Sequence, residues 1–274
     1  MPNIAERIVF ANYKGGTGKT TSCLSIAGFL AKGGSKVLLI DFDPQASATA
    51  GIGIDKLTVN HSIYDAVLSL CSGYGGVPLK NIIMETGLEN LHLAPSEWDL
   101  SAAEVIMQKT KNKATLLHTL TQSVQSLYDY ILIDTPPSSG MLLLNCIAAA
   151  DHMIIPFEPG IFSLKSIDNI KSAFLDVKRN TGHNFSKLTI ILNRYAWQDP
   201  LERIFYGDNP SIQVKKLLAG IFKTVFIVPE SQKIYKSQQR GIPISHYAPR
   251  SKVGRAYKKI ADAIRHESET EGHG

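Results

Sequence analysis

Residues 8–21 read Ile8-Val9-Phe10-Ala11-Asn12-Tyr13-Lys14-Gly15-Gly16-Thr17-Gly18-Lys19-Thr20-Thr21. A short apolar run leads into a turn of glycines, lysines and threonines. The residues after it, Ser22 to Ala31, read as a helix. Strand, glycine-rich turn and helix in that order build a phosphate cradle. Glycines let backbone N–H groups converge on an anion without a Cβ clash. The helix N-terminus adds unpaired N–H groups and a positive dipole end. Gly15, Gly16, Thr17, Gly18, Lys19, Thr20 and Thr21 are therefore candidate phosphate ligands. Lys19 can reach terminal phosphates, and the Thr20 hydroxyl can ligate Mg²⁺. The standard loop has a glycine where this chain has Tyr13, and here Lys14 opens the loop instead.

Outward from the loop, apolar strand-like runs alternate with helical ones. Strands are expected at 7–12, 36–41, 91–94, 129–134, 151–157, 187–193 and 224–228. Helices are expected at 20–32, 61–70, 99–110, 113–127, 140–149, 163–180, 210–221 and 253–266. Val37-Leu38-Leu39-Ile40 and Tyr130-Ile131-Leu132-Ile133 are continuous apolar runs, which suit strands covered on both faces. Repeated βα units predict an α/β fold, a doubly wound, mainly parallel sheet flanked by helices. Ligands of such sheets sit at the carboxyl ends of the strands. Two strands end there in aspartate: Asp41-Phe42-Asp43-Pro44-Gln45 and Asp134-Thr135-Pro136-Pro137. Asp134 suits a cation beside the loop. Asp43 suits orientation or deprotonation of a water.

The 274 residues are 44% apolar and 19% charged, enough to bury a large core, and no long Pro/Gly linker divides them. One domain over 1–265 is expected, with a disordered polar tail at 266–274. Met141 to Phe157 is broken by Asn145, Asp151 and His152, so no membrane span is expected. No secretory leader pattern opens the chain. Cys23, Cys71 and Cys146 follow no metal or disulfide spacing and read as buried apolar residues. A cytoplasmic location is expected. Net charge is +5, yet residues 200–259 alone hold twelve Lys/Arg against three Asp/Glu. A basic stretch in an otherwise slightly acidic chain points to a polyanion partner.

The loop at 14–21, the Asp41–Gln45 and Tyr128–Pro137 segments and Pro249-Arg250-Ser251-Lys252 together resemble the ParA/MinD family of deviant-Walker ATPases, over about residues 5–265. Within it the sequence is most similar to ParA and Soj proteins. The resemblance implies a P-loop NTPase fold and hydrolysis of ATP with Mg²⁺. It assigns Lys14 to the phosphates of the partner subunit in an ATP-dependent homodimer. Asp43 becomes the water-activating aspartate, Asp41 part of the adjacent switch segment, and Asp134 the Walker B residue. Thr20, Asp43 and Asp134 fall on the metal side. Asn193 and Pro229 resemble adenine contacts. It also implies non-specific binding of double-stranded DNA through the C-terminal third, with Lys215, Lys216, Lys223, Lys233, Lys236, Arg240, Arg250, Lys252 and Arg255 as candidates. A ParB-like activator, a nucleoid-associated location and a role in partitioning plasmid or chromosomal DNA complete the expectation. A cargo-positioning or regulatory switch of the same fold is the alternative.

Departures from relatives narrow the reading. The end of the chain, Arg265 to Gly274, has three glutamates and no apolar face, unlike the membrane helix of MinD proteins. The cysteines do not form the ligand set of an iron–sulfur relative. With six residues before the first expected strand, no operator-binding helix-turn-helix is expected.

Overall fold

A computed structural model describes residues 4–138, 140–158, 186–195 and 224–271, with positions 175, 178, 179, 182 and 222. The strands are β1 Glu6–Phe10, β2 Val37–Asp41, β3 Met84–Glu85, β4 Leu91–Ala94, β5 Tyr130–Asp134, β6 His152–Phe157, β7 Lys187–Tyr195 and β8 Val225–Pro229. They form one sheet in the order β3-β4-β2-β5-β1-β6-β7-β8. All neighbours run parallel except β3 and β4. The helices are α1 Lys19–Lys32, α2 Ser47–Gly51, α3 Ile63–Leu68, α4 Leu79–Ile82, α5 Leu100–Gln108, α6 Leu116–Gln122, α7 Met141–Ala149, α8 Gln232–Gln239, α9 Ile244–Tyr247 and α10 Lys252–Glu271.

The continuous apolar runs bury both faces of the sheet. Ile131, Ile133, Leu38 and Ile40 enter one core with residues of α3, α5, α6 and α7. Tyr130, Leu132, Val37 and Leu39 enter the other with residues of α1, α9 and α10. Each fully buried large side chain contributes about 1.5–3 kcal/mol against exposure. On α10, Val253, Tyr257, Ile260, Ala261 and Ile264 recur at helical spacing and are all buried. The register places Phe10 and Asp41 on either side of Asp134. The ends of β1, β2 and β5 therefore meet where the phosphate loop begins.

The expected strands are all present within a residue or two at each end. The short edge strand β3 and helices α2, α4, α8 and α9 were not anticipated. Helix α8 was hidden because QKIYKSQQ holds only two apolar residues, Ile234 and Tyr235. Its N-cap is Ser231, whose Oγ accepts from Lys233 N at 3.3 Å. The expected helices at 163–180 and 210–221, except for single positions, lie outside the described residues. So do Lys215, Lys216 and Lys223.

The tail expected to be disordered from 266 corrects to helix as far as Glu271. Two contacts tie this last stretch down. Arg265 donates to the Gly33 carbonyl at 3.0 Å, and Ser268 Oγ donates to Glu6 Oε2 at 2.8 Å. Glu6 also accepts from Lys187 Nζ at 3.2 Å, and His152 Nδ1 stands 3.4 Å away without hydrogen-bond alignment. Burial alone raises the Glu6 carboxyl, but His152, Ser268 and Lys187 outweigh it and hold it down at about 2. A carboxylate with a depressed native pKa stabilises above its unfolded value of 4.5 and loses that effect as pH falls towards 2. Glu6→Gln is expected to cost about 2 kcal/mol near neutral pH. In urea melts the gap between the two proteins should close across that acid window; a gap independent of pH refutes the assignment.

Candidate functional site

A cleft of about 1070 Å³ opens at the carboxyl end of the sheet. Its floor is the turn between β1 and α1. Gly16 and Gly18 hold φ of 77° and 87°, values that favour glycine. A Cβ on Gly18 would also stand 2.6 Å from Asn193 Nδ2. Side chains fix the turn from three sides. Asn12 donates to the Pro156 carbonyl at 2.7 Å and accepts from Lys14 N at 3.0 Å. Asn193 Nδ2 donates to the Thr17 carbonyl at 2.9 Å and to Ser22 Oγ at 3.2 Å. Tyr257, on α10, donates to Asn193 Oδ1 at 3.2 Å.

Lys19 points back under the loop, with Nζ 3.4 Å from the Lys14 carbonyl. Burial lowers its pKa, while Asp134 and Asp43 oppose that shift. Thr20 Oγ1 donates to Asp134 Oδ2 at 2.6 Å. The other oxygen, Asp134 Oδ1, is buried without a hydrogen-bond partner. Burial pushes Asp134 well up, and Asp41 beside it adds to the shift. Asp41 is itself pushed up to about 6 by burial. Asp41 Oδ2 accepts from Thr49 N at 2.7 Å and Thr49 Oγ1 at 2.8 Å. Its Oδ1 accepts from Asp43 N at 3.3 Å. Asp43 in turn accepts from Gln45 N at 2.9 Å.

Two carboxylates, Asp134 and Asp43, thus meet one ammonium, a third, Asp41, lies beside them, and one carboxylate oxygen is unsatisfied. That surplus of negative charge favours a bound cation. Among the described residues no group of three or more His, Cys, Asp or Glu forms a metal cage. A cation held by a hydroxyl, one or two carboxylates and phosphate oxygens, with water in the remaining positions, suits Mg²⁺. Cys23, Cys71 and Cys146 are free and buried. Burial pushes the thiols of Cys23 and Cys146 well up, which disfavours the thiolate a metal needs.

The structure brings most of the expected site residues together. Gly15, Gly16, Gly18, Lys19, Thr20, Thr21, Asp43, Asn193 and Pro229 line the cleft. Thr17 and Asp134 lie one layer behind, holding Asn193 and Thr20. Asp41 does not line the cleft; its hydrogen bonds anchor the turn that carries Asp43. Asn193 spends its amide on the loop and its carbonyl on Tyr257, so it braces the cradle from its wall. Lys14 is exposed and is not among the residues that line the cleft.

Sequence reading missed the wall built by Gln45, Ser231, Tyr235, Gln238 and Tyr257. Gln238 Nε2 reaches from α8 to Thr21 Oγ1 at 2.8 Å. Of the basic candidates, Lys233, Lys236, Arg240, Arg250, Lys252 and Arg255 are described and exposed. Arg240 lies 5.2 Å from the Tyr247 ring centroid. Lys252, Arg255 and Lys259 share one side of α10 by their spacing. Lys259 was absent from the expected set, although the same spacing marked it.

Comparison with known proteins agrees with this geometry. The profile of the AAA domain family AAA_31 matches residues 5–187. The sporulation initiation inhibitor protein Soj of Bacillus subtilis is 30% identical over 94% of this chain and 97% of its own. The chromosome partitioning protein ParA of Myxococcus xanthus is 32% identical over 93% of this chain and 86% of its own. A putative plasmid partition protein of Borrelia burgdorferi, solved with AMPPNP, superposes with a TM-score of 0.78. It is 24% identical, covering 96% of this chain and 99% of that one, and shows a shared fold.

Proposed function

This chain belongs to the AAA_31 family and, within it, to the ParA/MinD ATPases, and we propose that it is a partition ATPase whose ATP-bound dimer binds DNA without sequence preference. One observation carries the reading: Gly15, Gly16, Gly18, buried Lys19, Thr20, Thr21 and Asp43 line a single cleft, with Asp134 hydrogen-bonded to Thr20 behind it. No membrane-spanning helix occurs among the described residues.

ATP enters with its phosphates against the N–H groups of Gly15 to Thr21 and the ammonium of Lys19. The adenine lies towards Asn193 and Pro229. Thr20, with Asp134 behind it, and Asp43 in the cleft lining would hold Mg²⁺. When bound, Mg²⁺ offsets charge that develops on the terminal phosphoryl oxygens. Asp43, held by Asp41 and Gln45, orients the attacking water and accepts its proton. Asp41 is a positioning residue for that turn. Lys14 faces outward at the lip, where a second subunit's phosphates would approach it. A flexible ammonium there neutralises transition-state charge as an arginine finger does.

The dimer brings two sets of basic side chains onto one DNA. Lys252, Arg255 and Lys259 on α10 and Lys233 and Lys236 on α8 supply phosphate contacts, which carry no sequence information. A ParB-like protein stimulates turnover, and release from DNA follows hydrolysis, so the protein associates with the nucleoid cyclically. DNA affinity measured with ATP, with ADP and without nucleotide, each across a salt series, tests this. ATP alone is expected to support tight binding, weakening steeply with salt as counterions compete. Binding that ignores the nucleotide, or that is absent with ATP, refutes the proposal.

A further inference from the structure

The groups expected to read a base in this cleft are already committed. Asn193 spends Nδ2 on the Thr17 carbonyl and Ser22 Oγ, and its Oδ1 accepts from Tyr257. Pro229, the other expected contact, has no backbone N–H to donate. Yet the cleft, at about 1070 Å³, is at the upper end of small-molecule sites and has room for a nucleoside beside the phosphates.

Helix α8 forms a wall of that space. It begins just after Pro229, the end of β8, and Ser231 caps it. Ser231, Ile234, Tyr235 and Gln238 recur at helical spacing, and all four line the cleft. Gln238 Nε2 donates to Thr21 Oγ1 at 2.8 Å, so the last turn of α8 is fixed to the first turn of α1. Tyr235 lies on the same face three residues earlier, about 4.5 Å nearer the start of the helix. From the phosphate loop outward the wall therefore runs Gln238, Tyr235, Ser231 and then Pro229.

Tyr235 is 63% exposed although it lines a cleft. Its hydroxyl accepts from Gln239 Nε2 at 2.9 Å, one turn on, which restrains the ring. Among the described residues no other ring or cation stacks on it: the aromatic pair is His92 with Tyr128, and the cation over a ring is Arg240 on Tyr247. A single exposed tyrosine on a surface is ordinary. This one offers an open aromatic face inside a cleft whose floor is a phosphate loop. A planar base joined to a phosphate chain is the ligand that uses both features, since bases of any kind stack on aromatic side chains.

We infer that Tyr235 is the stacking platform for the nucleobase and a source of the preference for nucleotides over bare polyphosphate. The inference rests on the reading of residues 14–21 as a phosphate loop. Every base has a π-face, so stacking favours a nucleoside without choosing among bases. Tyr235 thus adds affinity for the base end of the ligand and none for its phosphates.

The test is calorimetric titration of the full-length chain with Mg²⁺ present. It pairs ADP with pyrophosphate, and a non-hydrolysable ATP analogue with tripolyphosphate. Wild type is expected to bind each nucleotide more tightly than the matching polyphosphate. Tyr235→Ala should weaken both nucleotides by roughly tenfold and leave both polyphosphates within about twofold of wild type. Tyr235→Phe keeps the ring, loses only the bond to Gln239, and should retain nucleotide affinity within about threefold. Equal losses for nucleotides and polyphosphates mark Tyr235 as structural and overturn the inference. A loss confined to the ATP analogue, with ADP unaffected, also overturns it, because a contact with a second subunit then accounts for the residue. Wild type that binds polyphosphate, with nucleotide affinities that Tyr235→Ala leaves unchanged, refutes the inference and leaves the phosphate loop standing. Wild type that binds neither nucleotide nor polyphosphate refutes the phosphate loop, and the inference falls with it.

Discussion

Lys19→Ala is expected to lower ATP affinity by roughly two orders of magnitude or more, read by titration with a fluorescent ATP analogue. The size follows from position. Lys19 lies under the loop with its ammonium buried, so phosphate meets it with little water between. Charge-assisted hydrogen bonds in such a setting are worth about 1.5–3 kcal/mol each. Unchanged affinity would remove the phosphate-loop assignment.

Loss of binding must be separated from loss of folding. Removing Lys19 leaves Asp43 and Asp134 without their ammonium, and an uncompensated buried charge costs about 3–5 kcal/mol. The site can relieve this by holding protons. Burial has already pushed Asp134 well up and Asp41 to about 6. An acid raised in the native state binds protons that the unfolded chain has released. Stability from this source therefore falls as pH rises from the unfolded carboxylate value through the native one. The melting temperature of Lys19→Ala should accordingly drop further below wild type at about pH 8 than at about pH 5. A variant that melts like wild type at pH 5 and still fails to bind ATP there has lost a ligand and kept its fold.

The part of this molecule legible in its sequence is the part set by backbone requirements. Gly16 and Gly18 occupy positive φ, and the continuous runs at 37–40 and 130–133 fill the middle of the sheet. Asp41 and Asp134 end adjacent strands in register, which the strand-end rule anticipated. Roles that depend on side-chain partners were less legible. Asp41 reads as part of a switch segment, and its hydrogen bonds to Thr49, eight residues on, are not written in any local pattern. Asn193 looked like a base contact, and its bonds to Thr17 and Tyr257 span 176 and 64 residues. Helix α8 escaped because it borders the cleft rather than the core, so no apolar stripe announces it.

A mixture of Lys14→Ala and Asp43→Ala proteins is expected to hydrolyse ATP, although each variant alone is nearly inactive. Loss of a water-orienting carboxylate costs about 10²–10⁴ in turnover, and loss of a trans-acting cation about 10³–10⁵. The Lys14 backbone accepts from Thr17 and Lys19 and donates to Asn12, and alanine keeps all three contacts. Lys14→Ala therefore removes only the outward side chain and should leave ATP affinity of the monomer intact. In a mixed dimer, the site on the Lys14→Ala subunit keeps its own Asp43 and receives Lys14 from its partner. The other site lacks both groups. Random pairing makes half the dimers mixed, each with one whole site of two, so about a quarter of wild-type turnover should return. If Lys14 instead served its own subunit, every site in the mixture would miss one group and no activity would return. The exposed lysine at the lip thereby distinguishes a nucleotide site complete in one chain from one that two chains must share.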